Sequence, residues 1–142
     1  MPIHYYEQEV NAKLQQRRKL SAYLNDLIRE HLEVKQVNLT YIFCNDDYLL
    51  TINKQFLNHD TYTDIVTFDL TEQEDELIGE LYISTDRIAE NAETHGTTYQ
   101  EELHRVIFHG ALHLCGFKDK TAKDQKEMRQ MEDHSLKAYF KN

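Results

Sequence analysis

A scarcity of turn-forming residues limits the folds open to this chain, because its 142 residues include four glycines and a single proline, Pro2. A β-sandwich needs many tight turns, and glycine and proline are prominent among the residues that form them. The low count therefore favours helices joined by short loops. The length is that of one domain, 1–142, with enough surface to bury for one hydrophobic core. The hydrophobic share of 40% indicates a globular rather than a disordered chain.

The spacing of apolar residues predicts an alternation of strands and helices. Period-two stretches rich in β-branched and aromatic residues predict four strands, over 3–10, 37–44, 63–68 and 77–84. Apolar residues three and four apart predict helices over 11–32, after Asn45, 84–93, 98–114 and from Thr121 onward. The short acidic connection before the last strand indicates a hairpin. We expect an α+β fold with α/β-type layers, in which helices cover a small mixed four-stranded sheet.

Residues at the expected helix ends support these boundaries. Asn45, Ser84 and Thr121 have the short polar side chains that cap helix N-termini. Thr98 begins a capping box, with a glutamate three residues later. Gly116 can adopt the positive φ that ends a helix. The helix predicted over 98–114 is therefore expected to stop just before Gly116.

Charge and hydropathy exclude several classes of protein. No stretch approaches the ~18 apolar residues of a membrane span, and the first residues have no signal-peptide pattern. Two cysteines are too few for a disulfide framework. We therefore expect a cytoplasmic protein that does not associate with a membrane. The net charge of −9 means that nucleic acid would be bound only through a local patch. The two basic clusters, 17–19 and 118–123, are by themselves typical of solvated surface.

The segment HGALHLCGFKD, residues 109–119, predicts a metal site. His109 and His113 are four residues apart on the predicted helix, so both imidazoles lie on one face. Gly116 then turns the chain, which allows Asp119 to supply a carboxylate. Two imidazoles and one carboxylate leave a position open for water, as in a catalytic zinc site. We therefore predict one Zn²⁺ per chain, bound by His109, His113 and Asp119, on a central helix and the turn after it.

The same residues allow other interpretations. Paired histidines at this spacing also occur by chance on helix surfaces, and here the turn glycine and the following carboxylate favour a metal site. Cys115 is expected to be a small buried hydrophobe. His104 lies ~140° around the helix from His109 and is not expected to be a ligand. The spacing is close to that of metzincin peptidases, but Gly110 stands where those enzymes have their glutamate base.

Three segments together resemble the YbeY family of bacterial metal-dependent endoribonucleases. Residues 109–119 are similar to its pattern H-G-x-L-H-L-x-G-Y-D-H, residues 58–68 (NHDTYTDIVTF) to G-K-D-x-P-T-D-V-L-S-F, and residues 79–84 (GELYIS) to G-D-I-x-I-S. The resemblance implies a small α/β fold, a zinc-type site and cleavage of single-stranded RNA. It also implies a role in maturation of the 3′ end of small-subunit ribosomal RNA and in ribosome quality control, with ribosomal proteins or a GTPase as partners.

Three positions depart from the family pattern. Asp119 stands where the family has a third histidine, and Tyr62 where it has a proline. Leu57 occupies the position that we align with a family arginine associated with RNA cleavage. A carboxylate ligand adds negative charge, so the water on the metal should be slightly less acidic.

The sequence does not fix a general base. Lys118, Arg105 and His59 are the candidate catalytic residues, since cations near a phosphoryl group stabilise its developing charge. Lys54, His59 and Lys120 are candidate substrate contacts. All five are polar residues near the motif segments in the sequence.

The segment that enters the third strand allows two interpretations. Either His59, Asp60 and Thr63 line the rim of the metal cleft, or Asp60 and Thr63 satisfy backbone donors within a local turn. Asp64 is expected to be a structural acceptor at the head of the strand.

Together these features predict a metal-dependent, single-strand-specific endoribonuclease that acts on ribosomal RNA precursors. A second hypothesis is a non-catalytic, metal-stabilised ribosome-assembly factor, which the net charge and Leu57 favour more than they favour a peptidase. A metzincin-like metallopeptidase is a third. The sequence leaves open the bond that is cut, the metal used in the cell and the oligomeric state.

Overall fold

The structure, a computed structural model, describes residues 2–57 and 63–141. Within them, four strands and five helices follow one another along the chain, in the predicted order. They are β1 (Ile3–Glu7), α1 (Arg17–His31), β2 (Gln36–Cys44), α2 (Asp46–Leu57), β3 (Ile65–Asp69), β4 (Glu76–Ser84), α3 (Thr85–His95), α4 (Tyr99–Leu114) and α5 (Ala122–Phe140). In these two described ranges no helix is long and apolar enough to cross a membrane.

The strands form a mixed sheet in the order β1-β2-β4-β3. β1, β2 and β4 run parallel, and β3 pairs with β4 in the antiparallel hairpin that the sequence predicted. The α+β class and the mixed four-stranded sheet are confirmed. Because β3 runs opposite to its neighbour, Asp64 at its start lies at the edge where β2 and β4 end, beside Ser84, whose N–H donates to the Asp64 carbonyl at 3.0 Å.

Apolar clusters cover both faces of the sheet. The larger one packs α1, α4 and α5 against β2 and β4, with Leu24, Leu81 and Phe108 fully buried. The smaller one places Leu49 of α2 against Val66 of β3. Alternation along the strands separates the two clusters, since neighbouring residues point to opposite faces.

Helix α4 lies at the centre of the larger cluster and is fixed to the sheet at two points. The Tyr41 hydroxyl donates to the carbonyl of Ile107 at 3.0 Å across a buried contact. At Gly110 the helix approaches β3 and β4 so closely that a β-carbon would lie 2.5 Å from Leu81 Cδ2 and 2.7 Å from Ile65 Cδ1. These contacts determine which face of α4 is left for function.

The first helix is shorter than predicted, since it begins at Arg17 instead of residue 11, and β1 ends at Glu7 instead of residue 10. Side chains hold the intervening backbone in another conformation: Glu7 accepts from the Ala12 N–H at 2.7 Å, and Asn11 accepts from the Lys13 N–H at 2.9 Å. Such side-chain acceptors compete with helix formation. Three residues of this segment have positive φ: Glu9, Lys13 and Gln16.

The predicted helix caps are confirmed. Each cap accepts a backbone N–H in the first turn of its helix, which satisfies a donor that the helix itself leaves unpaired. The pairs are Asn45 with Tyr48 at 2.8 Å, Ser84 with Arg87 at 3.2 Å, Thr98 with Glu101 at 3.0 Å and Thr121 with Asp124 at 3.0 Å.

Candidate metal centre

The last turn of α4 and the loop after it bring together the residues predicted to bind a metal. His109 and His113 lie one turn apart, with their rings almost parallel (5°) and their centroids 6.4 Å apart. Gly116 follows with a φ of 105°, and its N–H donates to the His113 carbonyl at 3.0 Å. This positive φ, which favours glycine, turns the chain back. As a result, Asp119 Oδ2 lies 3.3 Å from His109 Nε2.

Hydrogen bonds indicate which nitrogen of each imidazole carries the proton. His113 Nδ1 lies 3.1 Å from the carbonyl oxygen of Phe117, and His109 Nδ1 lies 2.6 Å from Glu132 Oε2. Neither a carbonyl nor a carboxylate oxygen donates, so Nδ1 is the donor in both contacts. In the neutral ring of His113, Nε2 then keeps its lone pair, which is the form in which histidine binds metals. His109 has a carboxylate near each nitrogen, and the shorter contact, 2.6 Å to Glu132 against 3.3 Å to Asp119, favours the same neutral form with the proton on Nδ1.

Carboxylates surround His109. Burial by itself would lower the pKa of His109, but the hydrogen bond and charge of Glu132, together with Asp64 and Asp119, outweigh it and raise that pKa. Burial raises the pKa of Asp64, and the nearby His109 opposes this shift. Asp64 therefore does more than the structural acceptor role predicted for it, since its charge also acts on His109.

The donor chemistry of this face fits a zinc-type ion. It offers two Nε2 lone pairs and a carboxylate, which is a ligand set of catalytic zinc sites. The three groups are gathered on one face but are not closed around a point, and among residues 2–57 and 63–141 no three His, Cys, Asp or Glu side chains stand close enough together to hold an ion.

Comparison with known proteins identifies the family. The family described as endoribonuclease YbeY matches residues 3–140. The chain belongs to this family. It is 43% identical over 134 residues to endoribonuclease YbeY of Cytophaga hutchinsonii, covering 94% of this chain and 93% of that one. It is 41% identical over 136 residues to endoribonuclease YbeY of Parabacteroides distasonis, covering 96% and 94%. The solution structure of a Thermotoga maritima protein is similar with a TM-score of 0.66 and 26% identity, covering 98% of this chain and 89% of that one.

The glycine of the YbeY motif has a packing role here. A β-carbon at position 110 would point at the sheet, against Leu81 and Ile65. A glutamate at this position would have to enter the core. The sequence has Gly110 where a metzincin peptidase has its glutamate base, and the packing of α4 on the sheet leaves no room for a glutamate there.

Three other predicted site residues lie on α4 and in the turn after it. Arg105 of α4 is held in ion pairs with Glu132 at 3.0 Å and Asp133 at 2.6 Å, so it is not a free cation. Lys118 and Lys120 are exposed in the turn on either side of Asp119.

Two further predicted contacts concern the region before β3. Lys54 is exposed in the last turn of α2. His59 and Asp60 lie outside the described residues. Thr63 is described, and its hydroxyl donates to the carbonyl of Ile65 at 3.5 Å. This contact does not satisfy a backbone donor, so it does not decide between the two interpretations of the segment.

The two residues that we excluded as ligands have other contacts. His104 is 2% exposed, and its ring stacks on Tyr139 with centroids 5.3 Å apart. Cys115 packs against the larger apolar cluster but is only partly buried.

Sequence reasoning missed Glu132. This residue is 6% exposed and accepts from both His109 and Arg105. A signal was available in the sequence: Glu132 lies four residues after Met128 and four before Leu136, on the apolar stripe of α5. A carboxylate on a buried helical face needs donors, and this rule would have singled it out.

Proposed function

We propose that this chain is a metal-dependent endoribonuclease that cleaves single-stranded RNA. Its family and the names of its relatives support the nuclease activity. The observation that carries the metal dependence is the approach of His109 Nε2 to Asp119 Oδ2, 3.3 Å apart on the face that also carries His113. We assign these three residues as the ligands of one Zn²⁺.

The residues of the chain prepare this face for an ion and a phosphodiester. His109 and His113 present Nε2 because their Nδ1 protons are occupied by Glu132 and by the Phe117 carbonyl. Asp119 supplies the negative charge. When bound, the ion would lower the pKa of its water and polarise a phosphoryl oxygen. The open coordination position of such a three-ligand site is where the phosphate would approach.

The RNA backbone needs cations, and the chain as a whole carries a net charge of −9. Lys118 and Lys120 are exposed on either side of Asp119 and are the cations nearest to it along the chain. We assign them as phosphate contacts. Replacing both by alanine should raise KM for RNA severalfold and weaken the salt dependence of binding, since each lost phosphate contact reduces the slope by about one. An unchanged salt slope would contradict this assignment.

The proposed activity is tested with labelled single-stranded RNA and zinc-loaded protein. The parent chain is compared with His113→Ala and with the matched control His134→Ala, which removes an exposed histidine of α5. We expect cleavage by the parent and the control, and loss of both bound zinc and cleavage in His113→Ala. Duplex RNA of the same sequence should be cut much more slowly.

Each alternative hypothesis gives a different result in this assay. If the parent binds zinc but cuts no RNA, the nuclease proposal fails and a metal-stabilised assembly factor is favoured. Cleavage of an unfolded protein substrate by the parent and not by His113→Ala would favour a peptidase. Equal RNA cleavage by the parent and by His113→Ala would remove this metal face from the reaction.

We infer that the natural substrate is the precursor of small-subunit ribosomal RNA, cut near its 3′ end, and that the reaction also serves ribosome quality control. Family membership supports this inference. The test compares cleavage of an RNA that spans the mature 3′ end with cleavage of an unrelated single strand. Preferential cleavage at the mature end is expected, and equal rates would contradict the assignment. Ribosomal proteins or a GTPase as partners would be sought by adding them to this reaction.

A further inference from the structure

The geometry points to Glu132 as a positioning residue that determines the tautomer and orientation of His109. It accepts the Nδ1 proton of His109 and is itself held by Arg105, so that His109 presents Nε2 toward Asp119. The consequence for metal binding rests on the proposed function, whereas the orientation itself is a property of the metal-free chain.

Glu132 is suited to this role because both of its oxygens are engaged. Oε2 lies 2.6 Å from His109 Nδ1, and Oε1 lies 3.0 Å from the Arg105 guanidinium. Arg105 is fixed in turn by Asp133 at 2.6 Å. The carboxylate is 6% exposed, and its partners compensate for the loss of water. A carboxylate held on both sides has little freedom to turn away from the imidazole.

The two histidines of this face are held by different acceptors. His113 is exposed and donates to a neutral carbonyl at 3.1 Å, whereas the partly buried His109 donates to a charged carboxylate at 2.6 Å. Hydrogen bonds to charged acceptors are shorter and stronger than those to neutral ones. Position 132 should therefore govern His109 strongly and leave His113 unaffected.

Glu132→Gln is a sharp test because glutamine has one acceptor and one donor end. The Arg105 guanidinium only donates, so it will take the amide oxygen of Gln. The amide NH₂ then faces His109 and forces Nδ1 to accept. The proton of the neutral ring moves to Nε2, the nitrogen needed for a metal. Removing a hydrogen-bond partner of a metal-binding histidine lowers metal affinity about 10–100-fold.

The tautomer is measured first, in metal-free protein, by the ¹⁵N chemical shifts of the His109 ring, recorded at increasing pH until the ring is neutral. We expect protonated Nδ1 in the parent and protonated Nε2 in Glu132→Gln. Zinc affinity is then measured by competition with a chromophoric chelator. The matched control is Asp133→Asn, which alters the outer contact of Arg105 and leaves the Glu132–His109 contact in place. It should retain both the tautomer and the affinity.

A parent ring with its proton on Nε2 would overturn the inference, and so would a Glu132→Gln variant with unchanged tautomer and zinc affinity. If Glu132→Gln does not fold, the shifts of the parent alone decide. If the tautomer switches as expected but the parent binds no zinc, the positioning role stands and the proposed metal function fails. If the parent binds zinc and cuts RNA but Glu132→Gln changes neither the tautomer nor the zinc affinity, the proposed metal function stands and the positioning role fails.

Discussion

Replacing Gly110 by alanine sets two known effects against each other at the centre of α4. In an exposed helix interior, alanine is about 1 kcal/mol more favourable than glycine. Here the added β-carbon would lie 2.5 Å from Leu81 Cδ2 and 2.7 Å from Ile65 Cδ1, whereas carbon atoms pack best at ~3.5–4.0 Å. Either the helix must move away from the sheet, or both side chains must leave their positions.

The packing effect should exceed the helix propensity. Leu81 is fully buried, so its side chain has no solvent to move into. Overpacking in such cores costs about 1–3 kcal/mol. After the gain of about 1 kcal/mol from alanine in a helix, we expect the free energy of unfolding to fall by about 1 kcal/mol. Urea denaturation should show a lower midpoint with an unchanged slope.

Gly110→Ala should also bind zinc more weakly than the parent. His109 and His113 flank position 110, so a displacement of the helix would move both proposed ligands. The control is Gly96→Ala at the end of α3, where φ is 67° and no atom lies within 4 Å of the added carbon. This control should lose about 1 kcal/mol through backbone strain alone and keep its zinc affinity. If Gly110→Ala were instead stabilised by about 1 kcal/mol, as at an exposed helix site, the proposed contact between α4 and the sheet would be refuted.

Two other substitutions test the hydrogen bonds and buried groups around the core. Ser84→Ala should lower the free energy of unfolding by about 1–2 kcal/mol. The reason is that this fully buried hydroxyl accepts from the Arg87 N–H and donates to Asp46 at 2.6 Å. A loss below about 0.3 kcal/mol in urea denaturation would contradict the prediction. Burial lowers the pKa of His104 below its ordinary value, so the unfolded chain takes up this proton at a higher pH than the folded one, and stability is lost as pH falls below about 6.5. Relative to His104→Phe, the parent should be less stable at pH 5 than at pH 8, and an equal difference at both pH values would contradict the prediction.

Local patterns in the sequence predicted most of the fold. Strands, helices and caps depend on residues within a few positions of one another, and Ser84 and Thr98 were identified as caps on that basis. The start of the first helix was predicted wrongly because apolar spacing alone does not register competing acceptors. Glu7 accepts from the Ala12 N–H across a stretch that periodicity assigned to strand and helix.

In the candidate site, too, the contacts between residues close in sequence were predicted and the contact between distant residues was not. Its proposed ligands lie within eleven residues, on one helix end and one turn, and their spacing was sufficient to predict that His109 and Asp119 meet. Glu132 reaches the same histidine from α5, 23 residues further along the chain. The apolar stripe of α5 marks Glu132 as a carboxylate that needs donors. Only the packing of α5 on α4 shows that His109 is one of them, because no spacing rule names a partner on another helix.

This division has a measurable consequence, because the orientation of His109 depends on how α5 packs. Met128 is 2% exposed and lies one turn before Glu132, whereas Ile52 is 8% exposed and lies in the separate cluster under α2. Truncating either to alanine should cost about 2–5 kcal/mol. At a temperature where both variants are folded, Met128→Ala should bind zinc more weakly than the parent and Ile52→Ala should bind it equally well. Equal zinc affinities in the two variants would mean that α5 packing does not control His109, and that only the direct contact of Glu132 matters.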